Sequence, residues 1–174
     1  MNITVVEHNP NWKYEYLNEE HLIKEIIQKE LVNIFHIGST SIQNLKAKPI
    51  IDILLVVNDI GKLDNYSDQF EKLGYEVMGE FGIKRRRYYR KGGDNRTHQI
   101  HAFQYDNIQE IERHLSFRDY LRQNQTISNE YGILKVELAH KFPNDIESYS
   151  DGKDVFIKRI EKAALKWHWL NRGN

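Results

Sequence analysis

His36-Ile-Gly-Ser-Thr-Ser-Ile-Gln-Asn-Leu-Lys-Ala-Lys-Pro-Ile-Ile-Asp-Ile-Leu-Leu-Val-Val57 is the stretch whose reading decides the fold. A Gly-Ser turn leaves one apolar strand, a short basic loop follows, and the chain re-enters a hydrophobic strand carrying a single acid, Asp52. Apart from Asp52 the run from 50 to 57 is continuously apolar, the mark of a strand buried on both faces. A lone carboxylate in such a run is costly to bury unpaired, so something compensates it. A cation, a reacting phosphate and a structural hydrogen bond at a strand end are the alternatives. Glycine at the strand exit lets a backbone approach a phosphate closely, and the N–H groups of such a turn form an anion-binding nest.

Working outward, residues 3–6 read as a short strand. Asn9-Pro10-Asn11 opens a helix to about residue 29, with Trp12, Tyr16, Leu22, Ile23, Ile26 and Ile27 on its apolar face. Residues 33–37 form the strand that ends at Gly38. Residues 59–73 read as one helix closed by Gly74. Strands are expected over 75–78, 86–91 and 97–103, the last two joined by the Gly92-Gly93-Asp94-Asn95 turn. Helices follow over 108–123, 128–142 and 151–170. The order predicts an α+β protein: a mixed sheet of about five strands with flanking helices and a helical C-terminal third. We expect one domain over 1–174, with a sheet-containing core in 1–105 and a helical extension in 106–174. Trp167 and Trp169 mark either a homodimer surface or the closing of the core.

Composition narrows the function. The 174 residues hold 25 Lys plus Arg against 25 Asp plus Glu, so no global field draws nucleic acid or membrane, and any anion site comes from local clustering. The absence of cysteine removes disulfides, thiolate zinc sites and thiol catalysis. No apolar run approaches the roughly 20 residues of a membrane span, and the first residues lack a signal-peptide pattern, so a cytoplasmic location is expected.

The Gly38-Ser39-Thr40 and Ala47-Lys48-Pro49-Ile50-Ile51-Asp52 pieces, at this spacing, resemble the signature of the GrpB family. The resemblance continues through Arg96-Thr97-His98, His101, the 117–122 segment Phe-Arg-Asp-Tyr-Leu-Arg, Tyr131, Lys135, Tyr149 and Lys153. It covers nearly the whole chain. It implies a fold of the polymerase-β-like nucleotidyltransferase type, in which a Gly-Ser turn is followed by two carboxylates one residue apart and a third on a later strand. In some eukaryotes a related domain resembles an appendage to dephospho-coenzyme A kinase. The match is partial. Asp52 stands at the first acid, Leu54 stands where the second is expected, and the later strand offers His98, Gln99 and His101 but no acid.

On this reading Asp52 is the catalytic carboxylate and a metal ligand. His101 and Glu80 are further candidate ligands, with magnesium or manganese as the cation. Gly38, Ser39, Thr40 and Lys48 form the phosphate cradle, and Arg87, Arg118, Arg122 and Lys135 are anion clamps, with Lys153 a further cation of the Arg118 cluster. Salt bridges to Asp119, Glu130 or Glu137 explain that cluster as well. The basic run 84–91 reads either as a charged edge strand or as the source of one phosphate clamp, Arg87. The expected function is binding a nucleoside triphosphate or another phosphorylated small molecule with a divalent cation, and transferring a nucleotidyl or phosphoryl group to a small acceptor. The alternative is a non-catalytic module for a nucleotide or coenzyme A-like ligand. A weaker third reading is a single-metal phosphate-ester hydrolase using Asp52 and His101.

Overall fold

The structure, a computed structural model, describes residues 2–173. Five strands, β1 (Leu31–Ile37), β2 (Ile51–Val57), β3 (Tyr75–Val77), β4 (Arg86–Lys91) and β5 (His98–Gln104), form one sheet in the order β1-β2-β5-β4-β3. Only β2 and β5 pair in parallel; the other neighbours are antiparallel. Five helices accompany it: α1 (Trp12–Ile27), α2 (Ser67–Lys72), α3 (Ile108–Gln123), α4 (Gln125–Lys141) and α5 (Ile146–Leu170). The α+β class and the mixed five-stranded sheet are as the sequence predicts.

Register fixes what each face of the sheet carries. Ile37 lies opposite Asp52, Asp52 opposite Gln99, and Leu54 opposite His101. Directly paired residues share a face, so Asp52, Leu54, Gln99 and His101 all point to one side. The other side presents Ile51, Ile53, Leu55, Val57, Ile100 and Ala102 to Trp12, Tyr16, Ile23 and Ile27 of α1 and to Phe70 of α2. That second face is the main core.

On the Asp52 side, Ile37, Leu54, Val56 and Phe103 pack beneath Ile111 and Leu115 of α3. Leu54 is fully buried there. Burying one such leucine stabilises the fold by about 1.5–3 kcal/mol, and a carboxylate in its place would face hydrocarbon. Further along, Ile42 and Leu45 of the loop pack with Leu121, Tyr131 and Ile160, so the segment between β1 and β2 is clamped to α3, α4 and α5.

Several boundaries differ from expectation for identifiable reasons. Residues 3–6 make only an isolated bridge, Val6 to Ala47, because Ala47 lies in a loop rather than a strand. The 59–73 helix is broken: the Asp59 carboxylate accepts from the Gly61 and Lys62 N–H groups, and a 3₁₀ turn at Lys62–Tyr66 precedes α2. α5 starts at Ile146 because Asp145 caps it, accepting from both the backbone and the hydroxyl of Ser148. β4 is not an edge strand, since β3 lies outside it. Trp167 packs edge-on against Tyr120, whereas Trp169 is 56% exposed.

Candidate functional site

At the end of β1 the chain turns through Gly38, whose φ of 72° suits glycine. A Cβ there would lie 2.5 Å from Asp52 Oδ2. The space that the missing side chain leaves is filled by the aspartate carboxylate. Asp52 is therefore compensated from within the fold. With its amide oriented as its neighbours require, Gln99 donates to Asp52 Oδ1 at 2.9 Å and accepts from Arg96 at 3.3 Å. The His101 Nε2 lies 3.4 Å from the same Oδ1, while its Nδ1 is buried without a partner.

Asp52 borders a cavity of about 190 Å³ closed by the Gly38-Ser39 turn, the loop before β2, α4 and α5. Three amines enter it. Lys135 is only 2% exposed; its Nζ donates to Ser39 Oγ at 2.8 Å and sits 4.4 Å from the Tyr131 ring centroid. Lys48 and Lys153 share one aromatic ring, with their Nζ atoms 5.1 and 4.6 Å from the centroid of buried Tyr149. Burial, reinforced by the Lys153 and Lys48 charges, pulls the Lys135 amine down to about 6. Burial and Lys48 pull Lys153 down to about 8. Lys48 is lowered too, again by burial first. Asp52 opposes these shifts, and it is the only carboxylate lining the cavity among the described residues. Cations held on ring faces with so little negative charge between them make a site that attracts anions.

The expected cradle residues divide into lining and bracing groups. Gly38, Ser39, Lys48, Asp52 and Lys135 line the cavity. Thr40 is buried behind the turn, its hydroxyl donating to the Ile50 carbonyl and accepting from His36 Nε2 at 2.9 Å. That pairing needs a proton on His36 Nε2, and burial pulls this imidazole down to about 4, so it is neutral. Arg122 donates twice to the Ser41 carbonyl, at 3.1 and 2.9 Å. Arg118 reaches the His36 carbonyl at 3.2 Å and pairs with Asp119 at 2.9 Å. Both arginines fasten the turn from outside and are absent from the lining.

Two expected site residues lie elsewhere. Arg87 points to the opposite face of the sheet, where it binds Asp64 through two bonds of 2.8 and 3.1 Å; the strand alternation of β4 puts it there. Glu80 is an exposed turn residue that accepts from the Arg85 backbone N–H. Among the described residues no group of three or more His, Cys, Asp or Glu is placed to hold a metal, so Asp52, His101 and Glu80 do not assemble into a ligand set. The other cations of β4 are also engaged: Arg86 donates to the Glu80 and Phe81 carbonyls, and Arg90 and Lys91 pair with Glu76 and Glu19.

The structure adds Gln99, Phe117, Tyr131, Tyr149 and Lys153 to the lining. A signal for three of them stood in the sequence. Tyr131 and Lys135 are four apart on α4, and Tyr149 and Lys153 are four apart on α5, so each helix presents a lysine beside a tyrosine on one face.

Comparison with known proteins agrees on the family. The family model described as GrpB protein matches residues 2–163. UPF0157 protein YqkA of Bacillus subtilis is 42% identical over 165 residues, covering 95% of this chain and 48% of that protein, so this chain spans about half its length. Glutamate-rich protein GrpB of Alkalihalophilus pseudofirmus is 35% identical, with 91% and 93% of the two chains covered. The crystal structure of conserved protein GrpB from Enterococcus faecalis superposes with a TM-score of 0.93 at 50% identity, over 95% of this chain and 99% of that one. A Cid1 poly(U) polymerase bound to MgATP superposes with a TM-score of 0.52 at 14% identity, over 79% of this chain and 44% of the polymerase. The last likeness establishes a shared nucleotidyltransferase-type fold.

Proposed function

The chain belongs to the GrpB family, and on that premise we propose that it binds the phosphates of a nucleoside triphosphate, or of another phosphorylated small molecule, in the Asp52 cavity and transfers a nucleotidyl or phosphoryl group to a small acceptor. The observation that carries this reading is the convergence of Lys48, Lys135 and Lys153 on a cavity lined by one carboxylate. A polyphosphate relieves the repulsion among the amines; the rings of Tyr131 and Tyr149 hold the amines, and Phe117 borders the ligand. Polymerases of like fold are known in complexes with a UTP analog, MgATP and MgGTP, which supports a nucleotide as the ligand. A cytoplasmic setting suits such a ligand, and no helix among the described residues is long and apolar enough to cross a membrane.

Magnesium or manganese is the cofactor expected with this fold, but the donor set does not fit a two-metal centre. Asp52 Oδ1 already faces Gln99 and His101, position 54 is a leucine in an apolar cluster, and Glu80 lies outside the cavity. A cation entering here has one carboxylate and the phosphates of the ligand to bind. The amines carry the phosphate binding.

Thermal-shift titration with each nucleoside triphosphate, with and without magnesium or manganese, tests the reading alongside a pyrophosphate-release assay. The expected result is stabilisation that Lys48→Met and Lys153→Met weaken at least tenfold in apparent affinity, with release abolished by Asp52→Asn. Absence of stabilisation by any triphosphate overturns it. Leu54, in place of a second acid, favours a second reading, a non-catalytic module for a nucleotide or coenzyme A-like ligand. Stabilisation without release selects that reading.

A further inference from the structure

The second carboxylate of a two-metal transferase serves to orient the cation that deprotonates the attacking hydroxyl. This chain has leucine there, outside the cavity in an apolar cluster, while the cavity holds a buried amine. The Lys135 amine is 2% exposed, has no carboxylate within salt-bridge distance among the described residues, and lies 2.8 Å from the Ser39 hydroxyl of the phosphate turn. A phosphate bonded to that hydroxyl brings its phosphorus within reach of an attacking Nζ. Two further cations, Lys48 and Lys153, face the same space and offset part of the charge of a two-phosphate leaving group.

Resting on the phosphate-site reading, we propose that Lys135 is itself the first acceptor: its Nζ attacks the α-phosphorus of a bound nucleoside triphosphate and forms a covalent lysyl-nucleotide. The Nζ–Pα bond forms as the bond from Pα to the bridging α–β oxygen breaks. Pyrophosphate leaves with that electron pair, its charge met by Lys48 and Lys153. The nitrogen sheds one proton to Asp52, the one carboxylate of the lining. The product is a phosphoramidate; a second acceptor then bonds to Pα as the Nζ–Pα bond breaks, and the leaving nitrogen takes back the proton held by Asp52. An amine attacks only as the free base, and burial with two neighbouring ammonium groups supplies that form near neutral pH. In this first step no acceptor hydroxyl has to be deprotonated, so the leucine at position 54 is consistent with formation of the adduct.

The test incubates the full chain with ATP, GTP, CTP and UTP in turn, with and without magnesium. It reads intact mass after denaturation and thermal shift on the same samples. The expected result is a gain of one nucleoside monophosphate per chain, mapped to Lys135, stable to alkali and lost on brief acid treatment. Lys135→Arg and Lys135→Met, checked for native near-UV circular dichroism, gain nothing. The mapping on the unaltered chain decides the matter even where a variant fails to fold. Thermal shift without adduct, adduct on another residue, or gain of a lone phosphate overturns the inference and leaves the phosphate site standing. No thermal shift with any triphosphate removes both.

Discussion

Gly38 and Asp52 are locked together: the Cβ that the glycine lacks would lie 2.5 Å from the aspartate Oδ2 and 2.9 Å from its Cβ. Turn and carboxylate therefore occupy one shared volume, and neither moves without the other. Gly38→Ala combines left-handed backbone strain with this overlap. It should destabilise the protein by about 1–3 kcal/mol and lower phosphate affinity, both read from urea denaturation and titration with pyrophosphate. An alanine variant of parental stability would mean that the turn relaxes freely.

Asp52→Asn separates anion binding from chemistry. Removing the one negative charge in the lining leaves three amines unopposed. Binding of triphosphate in calorimetry should be at least as tight as in the parent, while pyrophosphate release falls by about 100-fold or more, the scale of a lost acid–base group. Weakened binding would instead point to a cation bridging Asp52 and the phosphates.

Lys135→Met should raise stability. Below about pH 6 the amine is charged in folded and unfolded chains alike. Between about 6 and its ordinary 10.5 the unfolded chain holds a proton that the folded chain lacks, so the stability of the parent rises with pH through this window. Methionine removes both that slope and the buried amine. At pH 7 the variant should be more stable by about 1–3 kcal/mol, with the gap narrowing toward pH 10 in denaturant titrations run at each pH. A gap that widens with pH would contradict a neutral Lys135.

Leu54→Asp restores the expected acid in sequence but not in environment. The new carboxylate would sit among Ile37, Val56 and Phe103 under α3. We expect a loss of about 3 kcal/mol or more, seen as a lowered melting temperature, with no magnesium-dependent recovery. Recovery by magnesium would reveal a latent metal position.

Arg122→Ala removes two bonds to the Ser41 carbonyl. The turn should loosen at a cost of about 1–2 kcal/mol, with a several-fold loss of phosphate affinity although Arg122 is not in the lining. An unchanged affinity would show that Thr40 and Ser41 suffice to hold the turn.

How much of this was legible in the sequence depended on how local the cause was. The Gly38 turn and the apolar β2 are properties of neighbouring residues and are legible, whereas the register of β2 against β5, which brings Asp52, Gln99 and His101 to one face, is not. Arg87 failed because strand alternation says which residues share a side, not which side meets the cavity; that depends on the β1-β2-β5-β4-β3 order. Glu80 failed because an acid in a turn carries no register. Thr40 was expected in the phosphate cradle and Arg118 and Arg122 as anion clamps, but packing bonds all three to backbone behind the turn. Lys153 and Tyr149 were readable from the paired four-residue spacing on two helices. What hid their meaning was the long-range docking of α5 against the loop.

The three amines come from a loop, α4 and α5, and the loop leads straight into the sheet. Two of them, Lys48 and Lys153, are ammonium groups set against the same Tyr149 ring, and without a polyanion between them their repulsion pushes along the seam where the helical layer meets β1 and β2. A polyphosphate reverses the sign of that force and acts as mortar in the joint. If the proposed transfer holds, ligand charge governs how firmly the two layers of the molecule are knit, and departure of pyrophosphate would loosen the same joint.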